Sequence, residues 1–417
     1  MTNGTPEVPL TGRAHVQALV SSLHPAPSQV RVGGRRTSGD VEYLVLPSAD
    51  RPRLIVPQRP RRVRAAAVRR FSSAADAGTR TILGAIAAST WIGGARLLPD
   101  RVGVVNPTGE DPSIHAWLSE QLGQSVHCAL YVGPRRAVQK PVALVMDDRG
   151  RLIAFLKMGT SPVSVPLVRN EGDALTRLGG AALAVVRSPR VLHRADWNGH
   201  PVLVQEALAT RGPVADTDAV VARASAEVAA SGDLGRSPVD RSGYLERTRA
   251  RVDRLPDPWR GRLVAALSSV SEAGLELGFG GWHGDWSPWN MAIGEDGRLG
   301  VWDWEHYAPS VPVGFDAAHH RLATALAADR TVSASTAARQ MSELAPAAVS
   351  QACADLGLPG DQEHARAVIL LYLVEIGCRY LEDGEQDAGT RGGDLDAWLA
   401  EALTREAALV EQGRATR

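Results

Sequence analysis

The stretch His283-Gly284-Asp285-Trp286-Ser287-Pro288-Trp289-Asn290, followed thirteen residues after Asn290 by Asp303 within Val301-Trp302-Asp303-Trp304-Glu305, decides how the rest of this chain is read. It sets one carboxylate, Asp285, beside an amide, and a second carboxylate a short hairpin away. Asp285 can handle a proton, while Asn290 and Asp303 offer the hard oxygen donors that suit a magnesium ion. These are the parts phosphoryl transfer needs, because that reaction is catalysed by positioning and charge neutralisation. A single Asp is most often a turn cap or a strand end; the whole pattern is far rarer by chance.

Asp296-Gly297 lies between two short apolar runs and reads as a two-residue hairpin turn. Counting outward pairs Glu295 with Arg298, Ile293 with Gly300 and Asn290 with Asp303. On that register the two ligand candidates are directly opposed, with β-carbons roughly 5 Å apart. One cation could then bridge them, with phosphate oxygens and water filling its other positions. Asp285 sits on the loop entering the hairpin.

These residues resemble the catalytic and metal loops of the aminoglycoside phosphotransferase and choline kinase family, relatives of the protein kinases. The resemblance implies an α+β, bilobal protein-kinase-like fold with an antiparallel-sheet N-lobe and a mainly helical C-lobe. It also implies ATP or GTP as co-substrate, Mg2+ as cofactor, and a small-molecule hydroxyl as phosphate acceptor. Asp285 matches the family's catalytic base, Asn290 and Asp303 its metal ligands, and His283 the residue that buttresses the loop. Gly284 stands where protein kinases usually carry Arg, and Asp303-Trp304-Glu305 replaces their Asp-Phe-Gly. Both departures favour the small-molecule branch and make Glu305 a secondary site candidate.

A kinase reading demands a nucleotide-binding lobe with one Lys for the phosphates. Of 46 basic residues only Lys140 and Lys157 are lysines. A chain that uses Arg for generic positive charge and retains a Lys points to a specific task for it. Lys157 closes the run Leu152-Ile153-Ala154-Phe155-Leu156-Lys157, a strand expected to pair with Val142-Ala143-Leu144-Val145-Met146 across the turn Asp147-Asp148-Arg149-Gly150. That is where the family's phosphate-contacting Lys sits. Glu171, ahead of Leu175 and Leu178 at helical spacing, resembles the helix Glu that pairs with it; the plain alternative is a solvated first-turn acid. Gln205-Glu206-Ala207-Leu208 follows the hairpin around Asn198-Gly199 and falls at the expected hinge, so Gln205, Glu206 and Leu208 are nucleotide-binding candidates. The phosphate-covering loop matches poorly: Gly133 is alone, which does not support backbone cradling of phosphate. Arg135 and Arg136, with Lys140, are candidates to supply charge there instead.

Helices are expected over 220–230, 258–277, 365–381 and 394–411, where apolar residues recur at helical spacing. Gly314-Phe315-Asp316 resembles the family's Gly-x-Asp helix start, and Asp316 is expected to cap that helix. Glu375, Glu382, Asp383, Glu385 and Asp387 form an acidic cluster where relatives build their acceptor pocket; such a field favours an amine-bearing acceptor, against the plainer reading of a solvated helix end.

The domain division read from the sequence is 1–110, a basic N-terminal extension or cap; 111–207, the nucleotide-binding N-lobe; and 208–417, the helical C-lobe. The first hundred residues hold fourteen Arg against six Asp plus Glu on a chain of net charge zero. Arg59, Arg61, Arg62, Arg64, Arg69 and Arg70 lack aromatic interleaving apart from Phe71, which argues for a solvated surface over a nucleic-acid partner. Val41–Leu46 and Arg53–Pro57 read as two strands around Ser48-Ala49-Asp50. At 44% hydrophobic the chain can bury sizeable cores. Cys128, Cys353 and Cys378 lack metal-type spacing, and neither a signal peptide nor a membrane span is evident. The broken apolar stretch Leu83 to Leu98 is too short to span a bilayer; a cytoplasmic location is the expectation. The rival functions are a catalytically silent kinase-like nucleotide-binding or scaffold module, and a protein kinase.

Overall fold

The computed structural model describes residues 12–34, 37–73, 100–109, 111–132, 140–212, 218–328, 332–382 and 395–416. Arg135, Arg136, the loop carrying them, the stretch 83–98 and the acidic residues Asp383, Glu385 and Asp387 lie outside these. Among the described residues the chain forms two compact units. One draws on Met1–Pro134, Gln139–Val168 and Val191–Ala207, the other on Arg169–Arg190 and Leu208–Arg417.

The first unit contains helices α1 (Gly12–Leu23), α2 (Arg61–Ser73) and α3 (Ile114–Gln121), and strands β1 (Gln29–Gly33), β2 (Val41–Pro47), β3 (Pro52–Pro57), β4 (Arg101–Val105), β5 (Val126–Tyr131), β6 (Val142–Asp147) and β7 (Leu152–Met158). Helix α4 (Ser164–Gly179) and the short strand β8 (Val186–Arg187) follow, then β9 (Val191–Trp197) and β10 (His200–Glu206). Nine of these strands form one sheet in the order β1-β4-β2-β3-β5-β6-β7-β10-β9, every pairing in it antiparallel. Segments on both sides of residue 110 therefore share hydrogen bonds within a single sheet, through the pairing of Leu54 and Ile55 in β3 with Tyr131 and Leu130 in β5.

Side chains of a strand alternate between faces, and here both faces are covered. Tyr43 and Val45 of β2 join Val16, Leu19, Val20 and Leu23 of α1 and Ile114 and Leu118 of α3 in one core. Leu44 and Leu46 join Val63, Ala67 and Val68 of α2 in another. That is why Tyr43-Leu44-Val45-Leu46 and Leu54-Ile55-Val56 read as unbroken apolar runs: a strand buried on both sides has no polar position to alternate with. Each such side chain contributes about 1.5–3 kcal/mol by leaving water. The two hairpins expected around Asp147–Gly150 and Asn198-Gly199 are present. At the second, Trp197 pairs with His200. Asn198 and Gly199 both take positive φ, 49° and 77°, as a type I′ turn requires.

The second unit is mainly helical. It contains β11 (Thr210–Gly212), α5 (Asp218–Ala230), β12 (Gly235–Pro238), α6 (Gly243–Val252), α7 (Trp259–Glu272), β13 (Glu276–Trp282), β14 (Met291–Gly294), β15 (Leu299–Val301), β16 (Ala308–Pro312), α8 (Phe315–Ala328), α9 (Ala334–Asp355), α10 (Gln362–Glu382) and α11 (Leu395–Ala415). Two small sheets, ordered β11-β14-β15-β8 and β12-β13-β16, carry its loops. Helix α10 runs through the core with every residue from Ala367 to Cys378 buried, matching a sequence apolar on all sides. The helix expected over 258–277 is shorter than its periodicity suggested. It stops at Glu272, Gly274 turns the chain at φ +64°, and Glu276–Trp282 is a strand. Leu277 and Phe279 are buried, and they belong to β13 and not to the helix before it. No helix among the described residues is long and apolar enough to cross a membrane.

Candidate active site

Every residue of the central cluster belongs to the second unit. Strand β13 ends at Trp282 and delivers His283, Gly284 and Asp285 into a loop that closes in a short 3₁₀ turn, Pro288–Asn290, before β14 begins. The hairpin β14–β15 pairs Met291 with Val301, Ala292 with Gly300 and Ile293 with Leu299. This corrects the expected register by one residue. Gly294 N–H donates to Arg298 O at 2.8 Å and Gly297 N–H to Gly294 O at 3.1 Å, so the loop has three residues, Glu295-Asp296-Gly297. Only Gly297 takes positive φ, 81°; a type I turn closed by a left-handed glycine results, where a type I′ turn needs positive φ at both central residues. Asn290 consequently opposes Trp302, whose N–H donates to Asn290 O at 3.1 Å, and Asp303 lies one step beyond the ladder. A one-residue slip would turn a strand side chain to the other face. Here Asp303 leaves the strand in a left-handed conformation, φ 67° and ψ 54°, at a backbone cost of order 1–3 kcal/mol.

His283 ties the two ends of this hairpin together. Its Nδ1 accepts from Asp285 N–H at 3.1 Å, so the proton on Nε2 is donated to Trp302 O, 3.0 Å away. The ring packs edge-on against buried Trp304, centroids 4.5 Å apart. Burial pushes His283 down to about 4 despite nearby Asp285, so it stays neutral. One side chain thus fixes the residue after Gly284 and the residue before Asp303.

Asp285 is held on both oxygens. Ser287 Oγ–H donates to Oδ1, and His319 Nε2 lies 3.1 Å from the same atom. Asn290 donates its amide Nδ2–H to Oδ2 at 2.9 Å and to the Asp285 carbonyl at 3.1 Å. Burial pushes this carboxyl up, but the hydrogen bonds from His319 and Ser287 outweigh it and hold Asp285 well below the usual carboxylate range. About a third of its side chain, 34%, meets solvent. A carboxylate offers about four acceptor positions. Two on Oδ1 and one on Oδ2 are taken, and one on Oδ2 remains. With its NH₂ turned to Asp285, the Asn290 amide has its oxygen left for a cation.

Helices α8 and α10 grip the loop from behind. The Asp316 carboxylate accepts from His283 N–H at 2.7 Å and Gly284 N–H at 3.2 Å. Asp316 is thus an anchor of the loop that follows β13, where the sequence suggested a cap for its own helix. Arg379 donates to Gly284 O at 2.7 Å. The first part of α4 contained in this unit adds a third tether, Asn170, whose amide donates to Glu305 O at 2.8 Å and Tyr307 O at 2.9 Å. Glu305, a secondary candidate from the sequence, meets Asn170 through its backbone.

The remaining predicted residues stand as follows. In the first unit Lys157 is buried on β7, between Val142 of β6 and Leu203 of β10. Gln205, buried, opposes Phe155, and Glu206 opposes Ala154. In the second unit Leu208 begins the segment leading into β11, and Glu171 is fully buried in α4. That helix starts at Ser164, so Glu171 stands in its middle turns, and the solvated first-turn reading does not hold. Glu375 and Glu382 both bind Arg251, at 2.7 and 2.8 Å, which balances one of their two negative charges; the other three acids of that cluster lie outside the described residues.

Sequence reasoning missed His319, Tyr372, Arg379, Asn170 and Ser287. For His319 a signal existed, since it follows Asp316 by three residues and so shares its helix face.

No protein-family model matches the sequence, and no curated protein matches it. The structure is similar to solved structures of small-molecule kinases at low identity. One is a thermostable mutant of the aminoglycoside phosphotransferase APH(4)-Ia in complex with AMP-PNP and hygromycin B, at 14% identity over 71% of this chain and 97% of that chain, TM-score 0.46. Another is choline kinase LicA from Streptococcus pneumoniae, at 14% identity over 67% of this chain and 90% of that chain, TM-score 0.39. A third is an aminoglycoside phosphotransferase from Alicyclobacillus acidocaldarius, at 15% identity over 68% and 95%, TM-score 0.34.

Proposed function

We propose that this chain is a magnesium-dependent small-molecule kinase that transfers the terminal phosphoryl group of ATP or GTP to a substrate hydroxyl. The observation that carries this reading is the setting of Asp285: a carboxylate fixed at both oxygens, with one acceptor position left on Oδ2. That position can receive the hydrogen of an incoming hydroxyl. As the hydroxyl oxygen bonds to phosphorus and the bond to the departing diphosphate breaks, the hydroxyl proton passes to Asp285.

The donor set suits magnesium. The Asn290 amide oxygen and the Asp303 carboxylate are hard ligands. A cation held by one amide and one carboxylate, with phosphates and water completing its shell, is the arrangement magnesium favours. When bound it would neutralise charge developing on the phosphates. In this reading Lys157 contacts the phosphates, and Gln205, Glu206 and Leu208 contact the base.

The test is an acceptor panel of aminoglycosides, amino-alcohols, sugars and nucleoside antibiotics with MgATP and MgGTP, read by mass detection of phosphorylated product. Asp285→Asn and Asp303→Ala should each reduce turnover at least about 10³-fold while the variants melt within a few degrees of wild type. Substantial turnover in either variant refutes the role assigned. Nucleotide-dependent thermal stabilisation with no turnover on any acceptor would favour the silent module, and label on a polypeptide would favour a protein kinase.

A further inference from the structure

Helix α8 presents two functional side chains from one face. Asp316 holds the backbone at His283 and Gly284, and His319, one turn later, reaches the carboxylate of Asp285 itself. His319 Nε2 lies 3.1 Å from Asp285 Oδ1 and 3.3 Å from Ser287 Oγ. Behind it, Nδ1 lies 3.0 Å from the hydroxyl of Tyr372 on α10. His319 is 8% exposed and Tyr372 wholly buried. A carboxylate can only accept, so Nε2 carries a proton toward Asp285; with one proton on the ring, Nδ1 accepts the Tyr372 O–H. A buried tyrosine hydroxyl needs a partner, and His319 is the partner that fixes its own tautomer in return.

We propose that His319, oriented by Tyr372, is a positioning residue for the base, and this rests on the reading of Asp285 given above. Its Nε2–H and the Ser287 hydroxyl occupy Oδ1, Asn290 occupies one side of Oδ2, and the acceptor position left on Oδ2 is the one that meets the substrate hydroxyl. The carboxylate is thereby held in a single rotamer from the protein core. Serine at position 287 has a short side chain whose own hydroxyl bonds Oδ1 alongside the imidazole. His319 takes no part in the proton balance: the proton leaves the acceptor hydroxyl and stays on Asp285 until product departs.

The experiment uses the full chain and three variants, His319→Ala, His319→Gln and Tyr372→Phe, with melting temperatures confirming the fold. His319→Ala should lower kcat about 10- to 100-fold, the scale expected when a reacting group loses its orientation, with KM for the nucleotide unchanged within about twofold. His319→Gln returns an N–H donor toward Oδ1 and should recover most of that loss, and Tyr372→Phe should fall between wild type and His319→Ala. Wild-type kcat in folded His319→Ala, or folded His319→Gln as poor as His319→Ala, overturns the proposal. A second readout does not depend on turnover: with ¹⁵N-labelled histidine, His319 should give an Nε2–H tautomer whose resonance moves in Asp285→Asn. No such movement overturns the contact itself. A moving resonance in a protein that phosphorylates nothing on the panel leaves the contact standing and overturns the proposal through the kinase reading beneath it.

Discussion

Asp316 shows how a residue legible as important can be misread in role. Its position at a helix start suggested a cap, yet its partners are the backbone N–H groups of His283 and Gly284, more than thirty residues earlier. No local pattern encodes a bond of that span. His283, Asp285 and Asn290, by contrast, lie within eight residues of one another, so the hydrogen bonds that join them are local ones. Burial lifts the Asp316 carboxyl to about 7 against the pull of those two N–H groups. An unfolded Asp titrates near 4, so between about pH 4 and 7 the folded chain keeps a proton that the unfolded chain releases. The stability from this group is therefore full below about pH 4 and lost as pH rises through about 7. Relative to Asp316→Asn, the wild type should lose unfolding free energy from pH 5 to 8 in urea titrations; a flat or rising difference would contradict the assignment.

The hairpin β14–β15 carries the same lesson at the scale of an element. Its existence and both strands were readable from the alternation and from Asp296-Gly297, but its register was not. Asp-Gly serves both a two-residue type I′ turn and a three-residue loop with the glycine left-handed, and only the φ of residue 296 tells them apart. Asn198-Gly199 took the first option and Asp296-Gly297 the second. The consequence falls on Asp303, which leaves the ladder before it can oppose Asn290. Gly297 has open space where a β-carbon would stand, so substitution there tests backbone conformation without a clash. Gly297→Asn, which tolerates positive φ, should be near neutral. Gly297→Val should cost about 1–2 kcal/mol and lower kcat with the displaced register, measured by denaturant midpoints and steady-state rates. Equal stability of the two variants would argue against the three-residue loop.

For the molecule as a whole, the α+β class and the passage from an antiparallel sheet to a mainly helical second half were legible from the apolar runs and periodicities. What escaped was the reach of the N-terminal residues. Helices α1 and α2 cover opposite faces of the same sheet, and the long-range pairing of β3 with β5 has no signature in either strand alone. Removing residues 1–110 would take α2 from one face of that sheet and α1 from the other, where α3 stays, and leave β5 as an edge strand, an arrangement prone to aggregation. The scarcity of lysine has a practical outcome. A lysine-specific protease has two targets in 417 residues, Lys140 in the segment before β6 and the Lys157–Met158 bond within β7. That bond lies at the end of a strand flanked on both sides, and Lys157 is only 3% exposed. Native-state cleavage at Lys157 should therefore depend on the opening of β7, and fragment masses tell it from cleavage at Lys140. A nucleotide that binds the folded chain should slow that cut in proportion to its occupancy, which provides an affinity scale for ATP and GTP before any acceptor is known.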